Sequence, residues 1–415
     1  MDARRTVEAV WRMHSARLVA SLTRLVHDVG LAEDVAQEAF LSALAQWPRD
    51  GVPDEPAAWL ATVARRRAID LIRRERLRDD RYALLAAAPR DEPDDAGPGT
   101  ATDDDLLALV FVACHPVLSQ QSRAALTLRM VGGLTTDEIA RAFLVPDATI
   151  GQRISRAKRT LAEAEVPFAV PDADALPARL SAVLEVVYLI FNEGYAATSG
   201  DRWIRRDLAE QAVRLGRILA GLMPREPEVH GLVALMELQA SRFAARTGPD
   251  GQPVLLPEQD RTRWDRTLVA HGLRALARAR TLGKPLGPYT VQAAIAACHA
   301  RAARYEETDW EAILALYEAL TQLVPSPVTH LNRAVAVLHV DGPRVALDAV
   351  DALRGDPRMA RYHLLGAVRA DFLLRLGRHA EAAEELERAA GLAPTRHERM
   401  MLMTRAAAAN QSAPR

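Results

Sequence analysis

The strongest constraint on this chain is an interruption. Residues 88–105 read APRDEPDDAGPGTATDDD, with three prolines, two glycines and seven acids against one arginine. Such a stretch has too little apolar surface to offset the entropy of ordering it, and its like charges push it toward extension. It reads as a flexible acidic linker, so the 415 residues must fold as separate blocks on either side of it. A prior of about 100–200 residues per domain points the same way. Before the break, Val7 to Arg81 carry dense helical periodicity; after it, Leu106 to Ala164 carry a second helical block. A Pro-containing hinge, VPFAVPDADALP, then leads into a remainder that is helical almost to its end. Abundant Ala and Leu with 5% aromatic residues favour helices over strands, so the expected fold is all-α.

The net charge is −1, so no global field marks a nucleic-acid binder and any such role must rest on local patches. Of the 53 basic residues only Lys158 and Lys284 are lysine. Cys114 and Cys298 are far apart and lack CxxC spacing, which makes neither a disulfide framework nor a zinc site. There is no HExxH, no GxSxG and no Gly-rich phosphate loop after a strand. No run of 18 apolar residues occurs and the start is amphipathic. The expectation is a cytoplasmic, non-enzymatic protein with no cofactor, no metal site and no membrane partner.

Within the second block, residues 134–161 read LTTDEIARAFLVPDATIGQRISRAKRTL. Thr135 or Thr136 can cap a helix whose first turn holds Asp137 and Glu138, and Ile139, Ala140 and Phe143 form its apolar stripe. Leu144-Val145-Pro146-Asp147 breaks that helix, with Asp147 placed to cap the next one. Ile150, Ile154, Ala157 and Leu161 form the buried side of this second helix. Thr149, Gln152, Arg153, Ser155, Arg156, Lys158 and Arg159 are left exposed. Polar residues near a helix start followed by basic ones suit major-groove insertion, where the first part reaches base edges and Arg or Lys holds phosphates.

The first block contains Leu31-Ala32-Glu33-Asp34-Val35-Ala36-Gln37-Glu38-Ala39-Phe40, with Val35, Ala39 and Phe40 inward and Glu33, Asp34, Gln37 and Glu38 outward. After Trp47 and a turn-forming loop, PRDGVPDEP, comes AWLATVARRRAIDLIRR. Trp59, Leu60, Val63, Ala64, Ala68, Leu71 and Ile72 make its core stripe, opposite Arg65, Arg66, Arg67, Arg73, Arg74, Arg76 and Arg78. A basic helix beside a loop with aromatic residues suits capture of a nucleic-acid strand, since charges track the backbone and a pocket accepts an unstacked base.

EDVAQEAF, then AWL and ARRRAIDLIRR, then the acidic linker, then GLTTDEIARAFLVPDATIGQRISRAKRTL together resemble regions two and four of extracytoplasmic-function sigma factors of RNA polymerase. The resemblance covers roughly residues 8–165. It implies two small helical sigma domains, core RNA polymerase and promoter DNA as partners, and no enzymatic activity. By the same resemblance Asp34, Gln37 and Glu38 bind the polymerase. Trp47, Trp59, Arg65, Arg66, Arg73 and Arg74 serve the −10 element, through the loop from Trp47 to Pro56 and the helix after it. Thr149, Gln152, Arg153, Arg156, Lys158 and Arg159 serve the −35 element. The chain departs from the family at Leu144, at Thr149-Ile150-Gly151-Gln152-Arg153 and at Arg66, so the preferred promoter sequence does not carry over.

The expected organisation is residues 6–82 as region two, 83–105 as linker, 106–165 as region four, 175–284 as a helical middle module and 285–410 as tetratricopeptide-like repeats. The repeat is carried by Leu376-Gly377-Arg378-His379-Ala380-Glu381-Ala382 with Leu386, Ala389 and Pro394, and by Ala346 and Ala312 upstream; the stretch after Ala312 reaches Pro325 one residue late. Such a solenoid suits a regulatory role or a protein or peptide partner. In the middle module, Tyr188-Leu189-Ile190-Phe191-Asn192-Glu193-Gly194-Tyr195 reads as a helix end with a glycine cap or, alternatively, as a pocket lining. Trp203, Arg205, Arg206 and Asp207 are candidate contacts nearby. Two other functions fit parts of the pattern: a tetratricopeptide scaffold or adaptor, and a conventional helix-turn-helix regulator.

Overall fold

The computed structural model describes residues 3–83, 101–143, 145–195, 205–249, 253–394 and 396–411. Among the described residues are eighteen α-helices, four short 3-10 turns and one isolated bridge, Thr247–Pro253, with no strand. None of these helices is long and apolar enough to cross a membrane. The chain divides into two compact units, Met1–Leu189 and Ile190–Arg415.

In the first unit, α1 (Ala3–Val26), α2 (Val29–Asp50) and α3 (Pro56–Ala83) touch pairwise. Their interior is made by Val10, Trp11, Leu18, Val19 and Leu22 of α1, Val35, Ala36, Ala39 and Ala43 of α2, and Leu60, Ala64 and Ala68 of α3. Asp28 caps α2 by accepting the Leu31 N–H at 2.8 Å. The second block is α4 (Asp103–Ala113), α5 (Gln120–Met130), α6 (Thr136–Phe143) and α7 (Asp147–Glu163), and α1 packs on both α4 and α5.

Residues 84–100, most of the expected linker, lie outside the described residues. Its last three acids do not behave as linker. Asp103, Asp104 and Asp105 form the first turn of α4, where the helix dipole favours negative charge, and Thr102 and Asp105 close a reciprocal capping box. Leu106 to Ala113 are all buried, which explains an almost wholly apolar helix. Cys114 follows, its Sγ 3.2 Å from Thr127 Oγ1, and burial pushes the thiol up to about 11. At neutral pH it therefore stays a thiol, the less nucleophilic form. The start of α8 (Leu176–Tyr195) also belongs to this unit: Arg179 donates to the Phe111 carbonyl at 2.8 Å, and Gln120 of α5 donates to Glu185 at 3.1 Å.

The second unit holds α9 (Arg206–Leu222), α10 (Pro227–Ala240), α11 (Arg266–Thr281), α12 (Pro288–Arg301), α13 (Trp310–Leu323), α14 (Pro327–Val340), α15 (Pro343–Asp351), α16 (His363–Arg375), α17 (His379–Leu392) and α18 (Arg396–Gln411). Helix α10 is buried on nearly all sides among α9, α11 and α12. A Cβ at Gly231 would lie 2.2 Å from Thr290 Oγ1, so glycine is what permits α10 and α12 to approach. Glu228 of α10 accepts the N–H groups of Tyr289 and Thr290 at 2.8 and 3.0 Å, capping α12 from outside.

From α12 onward each helix packs on the next, as stacked hairpins α12–α13, α14–α15 and α16–α17 with α18 over the last. Ala334 and Ala346 meet in the second hairpin, and Ala370, Ala382 and Ala389 in the third, all of them buried. The first hairpin is shifted. In its second helix, α13, the buried positions are Ile313 and Leu320, while Ala312 is half-buried and Ala319 exposed, a displacement of one residue that agrees with the late Pro325.

The glycine at 194 is not a helix cap. Helix α8 runs on to Tyr195, and a Cβ on Gly194 would lie 2.4 Å from the Ala209 backbone nitrogen. Close approach of α9, and not a left-handed turn, is the reason for glycine here. Asn192 is exposed, Glu193 pairs with the buried Arg205 at 3.0 Å, and Trp203 lies outside the described residues.

Candidate nucleic-acid interface

Thr135 and Glu138 open α6 with a capping box, the hydroxyl accepting the Glu138 N–H at 3.1 Å and the carboxylate accepting the Thr135 N–H at 2.8 Å. Ile139, Ala140 and Ala142 are its buried residues; Phe143 is only half-buried. At the start of α7 the cap position is Pro146, and Asp147 is already helical with no capping hydrogen bond from its side chain. Proline takes this place because its fixed φ, here −60°, suits the extended cap residue; Asp147 then contributes through the dipole. The buried stripe of α7 is Ile150, Ile154, Ala157 and Leu161, as its spacing requires. These residues hold α7 against α5 and α6.

Gln152, Arg156 and Arg159 are exposed along one side of α7, with Thr149 and Arg153 half-buried at its edge. Arg159 lies 3.8 Å from Glu163 on the same exposed side. Lys158 points elsewhere. Its ammonium reaches α2, contacting Glu33, Asp34 at 2.8 Å and the Gly30 carbonyl at 3.5 Å. Burial pulls its pKa down, but the Glu33 and Asp34 carboxylates outweigh that and hold it above the ordinary lysine value.

On the first block, Arg66, Arg73 and Arg74 of α3 are exposed and Arg65 is half-buried. Arg67, on the same helix, donates to Ser42 at 2.8 Å and lies 3.7 Å from Glu38. The side chains beyond Arg74 on α3 lie outside the described residues, Arg76 and Arg78 among them. Trp47 is not in a loop. Helix α2 continues through Pro48 to Asp50 and ends at Gly51, whose φ of 90° suits glycine. The connection is therefore only residues 51–55, and the Trp47 indole is 2% exposed, edge-on to Trp59 at 5.5 Å. A ring so covered offers no face to a base in this state; Trp59, half-buried, and the exposed arginines are the accessible part of that surface.

Asp34 and Glu38 are exposed on α2 and Gln37 is half-buried. Glu33 departs from the reading of an exposed acidic face. It is 3% exposed and enclosed by Gln37, Arg129 and Lys158, with Arg129 Nε donating at 2.9 Å. The signal was present in the sequence, since Glu33 falls four residues after Val29 and three before Ala36, inside the apolar stripe. Arg129 was not singled out at all. It is the one charged residue of the mostly apolar ALTLRM stretch of α5, where a lone cation asks for a buried carboxylate.

A helix-turn-helix with an arginine-bearing outer face, beside a three-helix block with its own basic helix, defines a DNA-binding protein of the transcription machinery. Family comparison places the chain within that class. Residues 10–78 match sigma-70 region 2, residues 109–161 match sigma-70 region 4, and residues 179–280 match a family of unknown function, DUF6596. An uncharacterized protein of Rhizobium meliloti (strain 1021) is 44% identical over 387 residues, which is 90% of this chain and 89% of that one. The probable ECF RNA polymerase sigma factor SigI of Mycobacterium tuberculosis is 33% identical over 172 residues, 40% of this chain and 58% of the relative. The ECF RNA polymerase sigma factor SigK of Mycobacterium ulcerans is 31% identical over 149 residues, 35% of this chain and 78% of the relative. The chain belongs to the sigma-70 family of RNA polymerase sigma factors, in its extracytoplasmic-function group, and carries a C-terminal helical extension. Sigma factors direct transcription initiation and are not enzymes; membership implies core RNA polymerase and promoter DNA as partners.

Proposed function

We propose that the two blocks of the first unit divide the work of initiation between separate surfaces. Asp34, Gln37 and Glu38 of α2 dock on core polymerase. The 51–55 loop, Trp59 and Arg65, Arg66, Arg73 and Arg74 of α3 engage the −10 element, with buried Trp47 holding Trp59 in place. Thr149, Gln152, Arg153, Arg156 and Arg159 of α7 engage the −35 element, and Lys158 joins them when it leaves α2. The observation that carries this reading is the sidedness of α7: one face seats Ile150, Ile154, Ala157 and Leu161, and the other presents Gln152, Arg156 and Arg159 to solvent. The protein acts in the cytoplasm, where polymerase is.

The domain boundaries proposed are 6–82 for region two, 83–102 for the connector, 103–165 for region four, 175–284 for the middle module and 285–410 for the repeats. The extension regulates the N-terminal part or receives a protein or peptide partner. In support, the start of α8 packs on α4 and α5, beside the helix-turn-helix, and a module on the same chain acts at high effective concentration. Gel filtration with core polymerase tests the docking surface: the wild-type chain co-elutes, and the Asp34→Lys/Glu38→Lys chain does not. Equal elution of the two overturns it. For the extension, a chain ending at residue 195 is compared with the full chain in promoter transcription; equal activity removes the regulatory role.

A further inference from the structure

Arginines of the second unit commonly have an acid in reach: Arg217 pairs with Glu237, Arg333 with Glu318, Arg375 with Asp371 and Arg378 with Glu381. Helix α11 differs. Its sequence, RTLVAHGLRALARART, holds Arg266, Arg274, Arg278, Arg280 and His271 and no acid. All five are exposed, and among the described residues none of the four arginines joins an ion pair. Asp265, the acid just before the helix, is engaged as its cap, accepting the N–H groups of Thr267 and Leu268 at 2.8 and 3.1 Å. An arginine-rich composition accounts for the number of cations but not for the missing acids. The helix dipole favours Arg278 and Arg280 in the last turn, yet it disfavours Arg266 in the first.

Val269, Gly272, Leu276 and Ala279 are buried, so the helical period puts Arg274 at the centre of the outer face. His271 and Arg278 lie along one edge of it, Arg266 and Arg280 along the other. From Arg266 to Arg278 the row rises about 18 Å, a length over which one strand of a duplex presents about five phosphates. The turn between α9 and α10 extends the patch. Its Pro224 carbonyl accepts from Arg278 at 3.5 Å and lies 3.0 Å from His230 Nε2, which brings the exposed Arg225 beside the row. Glu226, on the same turn, is taken by Lys284 at 2.7 Å. What lies between the cations points to the partner. Thr267, Ala270, Ala277 and Thr281 are exposed there, and no large apolar side chain of α11 is. Protein interfaces centre on apolar or aromatic anchors, and helices that lie on membranes bury such side chains. Cations among small and hydroxyl residues suit a phosphate backbone.

We propose that the outer face of α11, with Arg225, is a further DNA-binding surface: its guanidinium groups hold backbone phosphates of the duplex that the polymerase-bound chain engages. A guanidinium meets a phosphate through two parallel N–H donors, a geometry that asks for no particular base. The face therefore adds affinity at any promoter and leaves the choice of promoter to α3 and α7. This gives the extension a direct share in holding DNA, beside the roles of the first unit.

The test uses the full chain assembled with core polymerase and titrated onto a labelled promoter duplex between about 50 and 200 mM salt. Arg274→Ala/Arg278→Ala is compared with the unaltered chain; both positions are exposed and alanine favours a helix, so the fold is kept. Each phosphate contact adds about 0.9 to the slope of log affinity against log salt, so the variant's slope is shallower by about 1.8. Over that range the unaltered chain then loses about tenfold more affinity than the variant. Arg344→Ala/Arg361→Ala, two exposed arginines elsewhere in the unit, keeps the unaltered slope. An unchanged slope in the α11 variant overturns the proposal, and so does an equal fall in the Arg344/Arg361 chain, which would mark a diffuse field. Loss of co-elution with core polymerase in the α11 variant, without DNA, also overturns it and assigns the face to an acidic protein surface. Absence of any promoter complex with the unaltered chain overturns the promoter reading and this contact with it.

Discussion

Two places in the molecule use the same device, a buried cation between carboxylates, for different ends. In the second unit Arg369 of α16 is bound by Asp351 at 2.6 Å and Glu385 at 2.8 Å, tying the second hairpin to the third. It stands beside a continuous apolar core that includes Phe372, Leu373, Ala382 and Leu386. In the first unit Lys158 and Arg129 bind Glu33, with Asp34 at the rim. One cluster is a fixture of a stack that hydrophobic burial has already assembled. The other joins α2 to α5 and α7 through polar side chains, with its Asp34 edge open to solvent. The ion chemistry alone does not tell the two apart; what surrounds it does.

The largest effect that would sharpen this contrast is at the staple. Replacing Arg369 by Ala leaves two carboxylates without their shared cation and should cost about 3–5 kcal/mol in urea unfolding of the full chain. Glu33→Gln should cost less, about 1–3 kcal/mol, since Lys158 and Arg129 regain water when the contact opens. An equal cost at the two sites would erase the distinction. The third effect concerns acid. Burial, together with the nearby charges of Arg242, Arg261 and His339, lowers the His299 pKa from 6.5 to about 3. The unfolded chain therefore takes up a proton that the folded one refuses, and stability falls as pH drops below 6.5, by up to about 1.4 kcal/mol per unit. Melting curves from pH 7 to pH 5 should show this, and His299→Gln should flatten it. The raised pKa of Lys158 has the opposite sense: its contribution is full below the unfolded value of 10.5 and is lost only as pH climbs through the folded one, so its contact with α2 should not weaken between pH 7 and pH 9. The smallest effect is Arg12→Ala, an exposed pair with Glu138, at about 0–1 kcal/mol and less in high salt.

Much of this architecture was legible in the sequence, because helical period and turn chemistry are local. The buried stripe of α7 and the buried alanines of the last two hairpins follow from spacing alone. The failures share a cause. Glu33 looked solvated because its two cations come from α5 and α7, nearly a hundred residues or more along the chain. Gly194 looked like a cap because the backbone that demands it, at Ala209, belongs to another helix. Trp47 was given to the loop since Pro48 reads as a breaker, yet α2 runs through Pro48 to Asp50, with Trp47 buried on it. Asp147 was given a capping role that Pro146 fills. Pattern reports what a helix is; which surfaces meet is set by contacts between distant segments.

The central claim is that this chain directs core polymerase to promoters, reading the −35 element through α7. Run-off transcription on fragments of its own genome, with purified full chain and core enzyme, tests it most directly. The expected result is a set of discrete transcripts absent with core enzyme alone, and their loss, at about tenfold or more, in Arg153→Ala/Arg156→Ala. No transcript above the core-enzyme background, or full activity in that variant, would contradict it.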